Sequence, residues 1–119
     1  MVEDDVDAII MLREELEGAG YGVYATDMSD DAIGELKRRA SEGGQFDAVV
    51  TDYQLDDSPE NGDAVAEAAL EFGMQVVFVY TSQPSEFPEI KGVEVFGKRQ
   101  VTEKKLVEML GERLQAQAS

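Results

Sequence analysis

Phe46-Asp47-Ala48-Val49-Val50-Thr51-Asp52 is a short apolar run bounded by turn-forming residues, the pattern of a strand covered on both faces. A second such run, Val76-Val77-Phe78-Val79-Tyr80, lies in the stretch from Gln75 to Tyr80 and ends against Thr81. Between them come the turn-rich segment Leu55-Asp56-Asp57-Ser58-Pro59-Glu60-Asn61-Gly62 and a helical pattern with Val65, Ala68, Ala69 and Phe72 on one face, closed by Gly73. Two buried strands joined by a helix run parallel, because the connection carries the chain back to the same edge of the sheet.

Working outward, the alternation persists. Val6, Ile9, Leu12 and Leu16 predict a helix over 6–17 that Gly18 and Gly20 stop, followed by a strand over 22–26. Ser29 is placed to N-cap a second helix, with Asp30 and Asp31 in its first turn and Ala32, Ile33, Leu36 and Ala40 on one face. Lys37-Arg38-Arg39 reads as a solvated helix end. Beyond Thr81, Pro84 and Pro88 limit residues 82–92 to a short helix or turn. A last strand is expected over 93–96, and a final helix over 102–114 with Thr102 as its N-cap. The order implies an α/β fold, a parallel sheet with helices on both faces. Only Met1 and Val2 precede the acids Glu3-Asp4-Asp5, so the first strand of such a sheet is truncated. Its loss would leave an apolar slot and unpaired backbone groups. Either the fold tolerates a stub, or another segment or a second copy fills the gap.

The 119 residues suit a single domain over 1–119. With 26 acids against 10 bases the net charge is −16, which disfavours nucleic acid and anionic membrane surfaces. Cysteine and histidine are both absent, removing disulfides, thiolate metal sites and His-assisted nucleophiles. No apolar run approaches the roughly 20 residues of a membrane span, and the acidic opening is unlike a signal peptide, so the expected compartment is the cytoplasm.

In open parallel sheets the working groups gather at the carboxyl ends of the strands. Those ends carry Glu3 and Asp4 after Val2, Asp52 after Thr51, Thr81 after Tyr80, and Lys98 after Gly97. Two carboxylates about 4 Å apart repel by roughly 4 kcal/mol at an effective dielectric near 20, so such a cluster calls for a cation or a raised pKa. Oxygen-only ligands favour Mg²⁺. Each residue also has a plain structural reading: Asp52 as a turn residue, Thr81 as a strand end, Lys98 as a surface base, Glu3 and Asp4 as solvated acids.

Taken in order, Val2-Glu3-Asp4-Asp5, Gly18-Ala19-Gly20-Tyr21-Gly22-Val23, Phe46 to Asp52, Thr81-Ser82 and Gly97-Lys98 resemble the receiver domains of two-component response regulators over essentially the whole chain. The resemblance implies a flavodoxin-like doubly wound sheet and a phosphorelay role. Asp52 would be the phosphoacceptor, taking a phosphoryl group from a histidine kinase or histidine phosphotransfer protein. Asp4 and Asp52 would bind Mg²⁺ directly, Glu3 through water and Gln54 through its backbone carbonyl, while Thr81 and Lys98 would contact the phosphoryl group. It further implies a regulator rather than an enzyme, acting through a downstream protein target. The margins of the first and last helices are candidates for docking a kinase or a second copy as a homodimer.

Several residues depart from the family pattern. The glycine after Asp52 comes late, at Gly62, and the interval from Thr81 to Lys98 is short, which resembles a single-domain bacterial subgroup with the fourth helix short or absent. Arg99 replaces the proline that usually follows the lysine, so a trans bond is expected there. Val95 occupies the usual aromatic switch position. The alternative reading is a degenerate receiver acting as a phosphorylation-independent interaction module. A haloacid-dehalogenase-like phosphatase is disfavoured by Gln54, where a second Asp is needed, and a flavodoxin by acids where its phosphate loop would lie.

Overall fold

The computed structural model describes residues 1–2, 6–26, 29–44, 46–52 and 62–118. Its elements are α1 (Val6–Gly18), α2 (Ser29–Ser41), β1 (Val49–Thr51), α3 (Gly62–Glu71), β2 (Val77–Thr81), a 3-10 turn (Pro84–Glu86), β3 (Val93–Gly97) and α4 (Glu103–Ala118). The strands form a parallel sheet in the order β1-β2-β3. Val50 pairs with Phe78, and Thr81 with Gly97.

Alternation along the strands divides the interior in two. Val49, Val77 and Val79 face one side, where they pack with Ala32 and Leu36 of α2 and Val65, Ala66 and Ala69 of α3. Val50, Phe78 and Tyr80 face the other, against Leu12 and Leu16 of α1 and Leu106, Val107 and Leu110 of α4. Phe78 is fully buried and its ring lies 4.8 Å from that of Phe96. Helices thus cover both faces, the doubly wound arrangement expected from the alternating pattern.

Among the described residues, Met1 and Val2 hold the place of a first strand. Val2 forms isolated parallel bridges to Thr26 on one side and Thr51 on the other. Its amide donates to the Val50 carbonyl at 2.8 Å, and its carbonyl accepts from the Asp52 amide at 2.8 Å. On the other flank the Thr26 amide donates to the Met1 carbonyl and the Met1 amine to the Tyr24 carbonyl. This single rung corrects two expectations. The strand expected over 22–26 is reduced to the bridge at Thr26, whose partner among the described residues is Val2. The strand expected over 46–51 begins only at Val49, because β2 begins opposite at Val77 and residues 46–48 have no ladder partner.

The interval after β2 holds only the 3-10 turn, as the two prolines predict. Val95 points to the same face as Val77 and Val79 but is 36% exposed, since no full helix follows β2 to cover it. Gly97 allows the turn to close on β3: a Cβ there would stand 3.2 Å from Pro84 Cγ and collide with the Gln100 side chain. At the start of α4 the Thr102 hydroxyl accepts the Lys105 amide at 3.2 Å, as a cap should, and the helix extends past the expected Leu114 to Ala118. The basic run on α2 stays at the surface, with Arg38 paired to Glu35 and Glu42, and Arg39 to Glu35.

Candidate functional site

The carboxyl edge of the sheet brings three of the expected residues together. Asp52 leaves β1, Thr81 ends β2 and Lys98 follows β3, so in-register parallel pairing alone sets them side by side. The Lys98 ammonium donates to Asp52 Oδ2 at 2.9 Å. Asp52 is 8% exposed, and the Lys98 side chain 24%. Lys98 is anchored from behind by its own amide, which donates to the Thr81 carbonyl at 2.8 Å. The Thr81 hydroxyl accepts the Gln83 amide at 3.3 Å, which ties the side chain to the loop that leads into the 3-10 turn.

Residues outside the expected set support this edge. The fully buried Thr51 hydroxyl donates to the Asp52 carbonyl at 2.8 Å, fixing the turn that carries the carboxylate. The Tyr80 hydroxyl donates to the Val101 carbonyl, joining β2 to the loop before α4. Burial first, and the nearby Glu103 second, push the Tyr80 phenol above its ordinary pKa, so it remains a donor at neutral pH. Lys98 Nζ lies 6.0 Å from the centroid of the Tyr80 ring, at the outer limit of a cation–π contact. The sequence signals Thr51 and Tyr80 only as strand residues, since neither hydroxyl bond follows from periodicity.

Glu3, Asp4 and Gln54, the other expected metal ligands, lie outside the described residues. Among the described residues no cluster of three or more acidic side chains could hold a metal. The Val2 carbonyl, which accepts the Asp52 amide, is the last described group before the acidic run Glu3-Asp4-Asp5 in the sequence. Asp52 contributes a largely buried carboxylate, an oxygen donor of the kind that suits Mg²⁺. All described peptide bonds are trans, including that between Lys98 and Arg99. Among the described residues no helix is long and apolar enough to cross a membrane.

A parallel sheet doubly wound by helices is the flavodoxin-like architecture, here with an aspartate and a lysine ion-paired at its carboxyl edge. The chain has the receiver fold: it is similar to a response regulator receiver protein from Sinorhizobium medicae, with a TM-score of 0.78, 23% identity, and coverage of 97% of this chain and 91% of that one. At that identity the likeness is one of fold. No protein-family model matches the sequence, and no curated protein matches it significantly.

Proposed function

We propose that this chain is a phosphoryl-accepting regulator of a two-component phosphorelay. The observation that carries the reading is the 2.9 Å contact between Lys98 Nζ and Asp52 Oδ2 at the carboxyl edge of the sheet. An Asp52 oxygen attacks phosphorus, a new P–O bond forms, and the P–N bond to a partner's phosphohistidine breaks, returning the electron pair to the imidazole. The product is an acyl phosphate on Asp52. Lys98 is already seated where the added negative charge develops, so stabilising it requires little rearrangement. The Thr81 hydroxyl, one strand over, supplies a hydrogen bond to the same group.

Mg²⁺ held by Asp4, Asp52, the Gln54 carbonyl and, through water, Glu3 would neutralise the phosphoryl oxygens. The chain's own residues do the rest: Asp52 is the nucleophile, Lys98 the counter-charge, and Thr81 the group whose engagement pulls on the 82–92 loop. Output then passes through protein contact, because a new dianionic group at Asp52 biases the loops after β2 and β3. The absence of histidine agrees with this direction of transfer, since the chain cannot itself be the phosphohistidine donor.

Intact mass spectrometry after incubation with acetyl phosphate tests this. The chain should gain about 80 Da with Mg²⁺ and lose the gain when Mg²⁺ is chelated or when Asp52→Asn is introduced. Lack of any gain, with the fold intact, would favour the interaction-module reading instead.

A further inference from the structure

The sheet ends at β3, which has no neighbour beyond it among the described residues. In the parallel ladder the Lys98 amide donates to the Thr81 carbonyl, so Lys98, Phe96 and Glu94 turn their backbone groups toward β2. Val93, Val95 and Gly97 therefore turn theirs away from the sheet. Part of this edge is already used: the Val93 amide donates to the Ile90 carbonyl at 3.2 Å, and the Gly97 carbonyl accepts the Gln100 and Val101 amides at 3.0 Å. The Val93 carbonyl, both groups of Val95 and the Gly97 amide have no partner among the described residues. Gly97 is buried by Pro84 and the Gln100 side chain, which lie on the face where a Cβ would stand and not along the edge its amide faces.

Sheet edges are ordinarily guarded against pairing by charge, proline or a covering element. On β3 each guard is missing or neutralised. The strand contains no proline, and its one charged side chain, Glu94, is held by Arg113 at 2.8 and 2.9 Å on the α4 side. Val95, on the opposite face, is exposed because no full helix follows β2 to cover it.

The open groups decide which strand fits. In an antiparallel pair centred on Val95, each Val95 amide meets the other's carbonyl, and Val93 lies opposite Gly97. The open Val93 carbonyl then faces the open Gly97 amide. The groups already used, the Val93 amide and the Gly97 carbonyl, face each other and need nothing. An unrelated strand would bring a free carbonyl to the occupied Val93 amide and a free amide to the occupied Gly97 carbonyl, leaving both unpaired. A strand with the same gaps satisfies every group, and a second copy supplies it by symmetry. Glu94 falls opposite Phe96, so no like charges are opposed across the pair, and the two exposed Val95 side chains cover one another.

We propose that β3 pairs antiparallel with β3 of a second copy about a two-fold axis at Val95, making one continuous sheet. The contact area is that of a single strand, so the dimer is a transient one. Each copy carries a charge of −16, so screening by salt strengthens it. The pairing uses neither Asp52 nor its phosphorylation.

Sedimentation velocity over about 10 μM to 1 mM chain tests the proposal. A monomer–dimer equilibrium with a Kd below about 1 mM is expected in about 0.5 M NaCl, and one weaker by about fivefold or more in about 0.05 M NaCl. Val95→Pro removes the central donor at a site where an edge strand tolerates proline, and Val95→Lys sets a charge beside its own symmetry mate. Each should abolish the dimer and leave the far-ultraviolet circular dichroism unchanged. Hydrogen exchange gives a readout that needs no variant: the Val95 and Gly97 amides should gain protection as the concentration rises. A chain that stays monomeric at about 1 mM in high salt would overturn the proposal. So would a dimer that survives Val95→Pro, one that weakens with added salt, or protection gained elsewhere and not at these amides. Loss of the dimer in Met11→Glu, on the exposed face of α1, with Val95→Pro still dimeric would assign the contact to α1 instead.

Discussion

Acetylating the Met1 amine should flatten the dependence of stability on pH between about 5 and 8. Burial lowers this amine from 8.0 to about 5 in the folded chain. The unfolded chain therefore holds the proton more tightly, and below pH 5 the folded state carries the full cost of a buried ammonium. At about 1.4 kcal/mol per pH unit, that cost is at most about 4 kcal/mol, lessened by the water that reaches the half-buried Met1. It falls as the pH rises through the interval, to about 1.4 kcal/mol at pH 7, and vanishes above pH 8. Stability from this group thus increases with pH, opposite in sign to the relief of carboxylate repulsion that acidification gives a chain of charge −16. Urea denaturation of the free and acetylated chains at several pH values separates the two, because the carboxylates are common to both. The difference between the profiles should grow from pH 8 to pH 5, by up to about 3 kcal/mol. Parallel profiles would refute the buried-amine argument and with it the docking of Met1 between residues 24–26 and β1.

Other perturbations test different parts of the account. Phe78→Ala empties the centre of β2, where the ring is fully buried, and should cost about 3 to 5 kcal/mol in chemical denaturation. Gly92→Ala places a side chain at φ +94, 3.2 Å from Leu70 Cδ2, and should cost about 1 to 2 kcal/mol, readable as a lowered melting temperature. Lys98→Met removes the cation from Asp52, whose side chain is 9% exposed, and should destabilise by about 1 to 3 kcal/mol. Asp52→Asn should cost less, because Lys98 is 24% exposed and can turn to water; the reverse ranking would argue against the pair being organised around a buried carboxylate.

Much of the fold is legible in the sequence because its signals are local. The apolar runs ending at Thr51 and Thr81, the helical spacing of Leu12 and Leu16, and the proline pair at 84 and 88 each determine an element without help from distant residues. Residues 22–26 read as a strand and form a single bridge, because a strand needs a partner and Val2 is the one described residue that pairs with them. The same dependence on partners shortens β1. At the site, Asp52 and Lys98 were legible because parallel pairing gathers strand ends whatever the side chains between them. The hydroxyl bonds of Thr51 and Tyr80 were not, since they depend on tertiary closure that no spacing records.

The most direct test of the central claim is to locate the phosphoryl group. After treatment with acetyl phosphate and Mg²⁺, borohydride reduces an acyl phosphate at an aspartate to homoserine, which tandem mass spectrometry assigns to a residue. The account predicts conversion at residue 52 alone, dependent on Mg²⁺ and reduced when Lys98 is replaced by Met. Conversion at another acid, or none in a chain that keeps its fold, would contradict it.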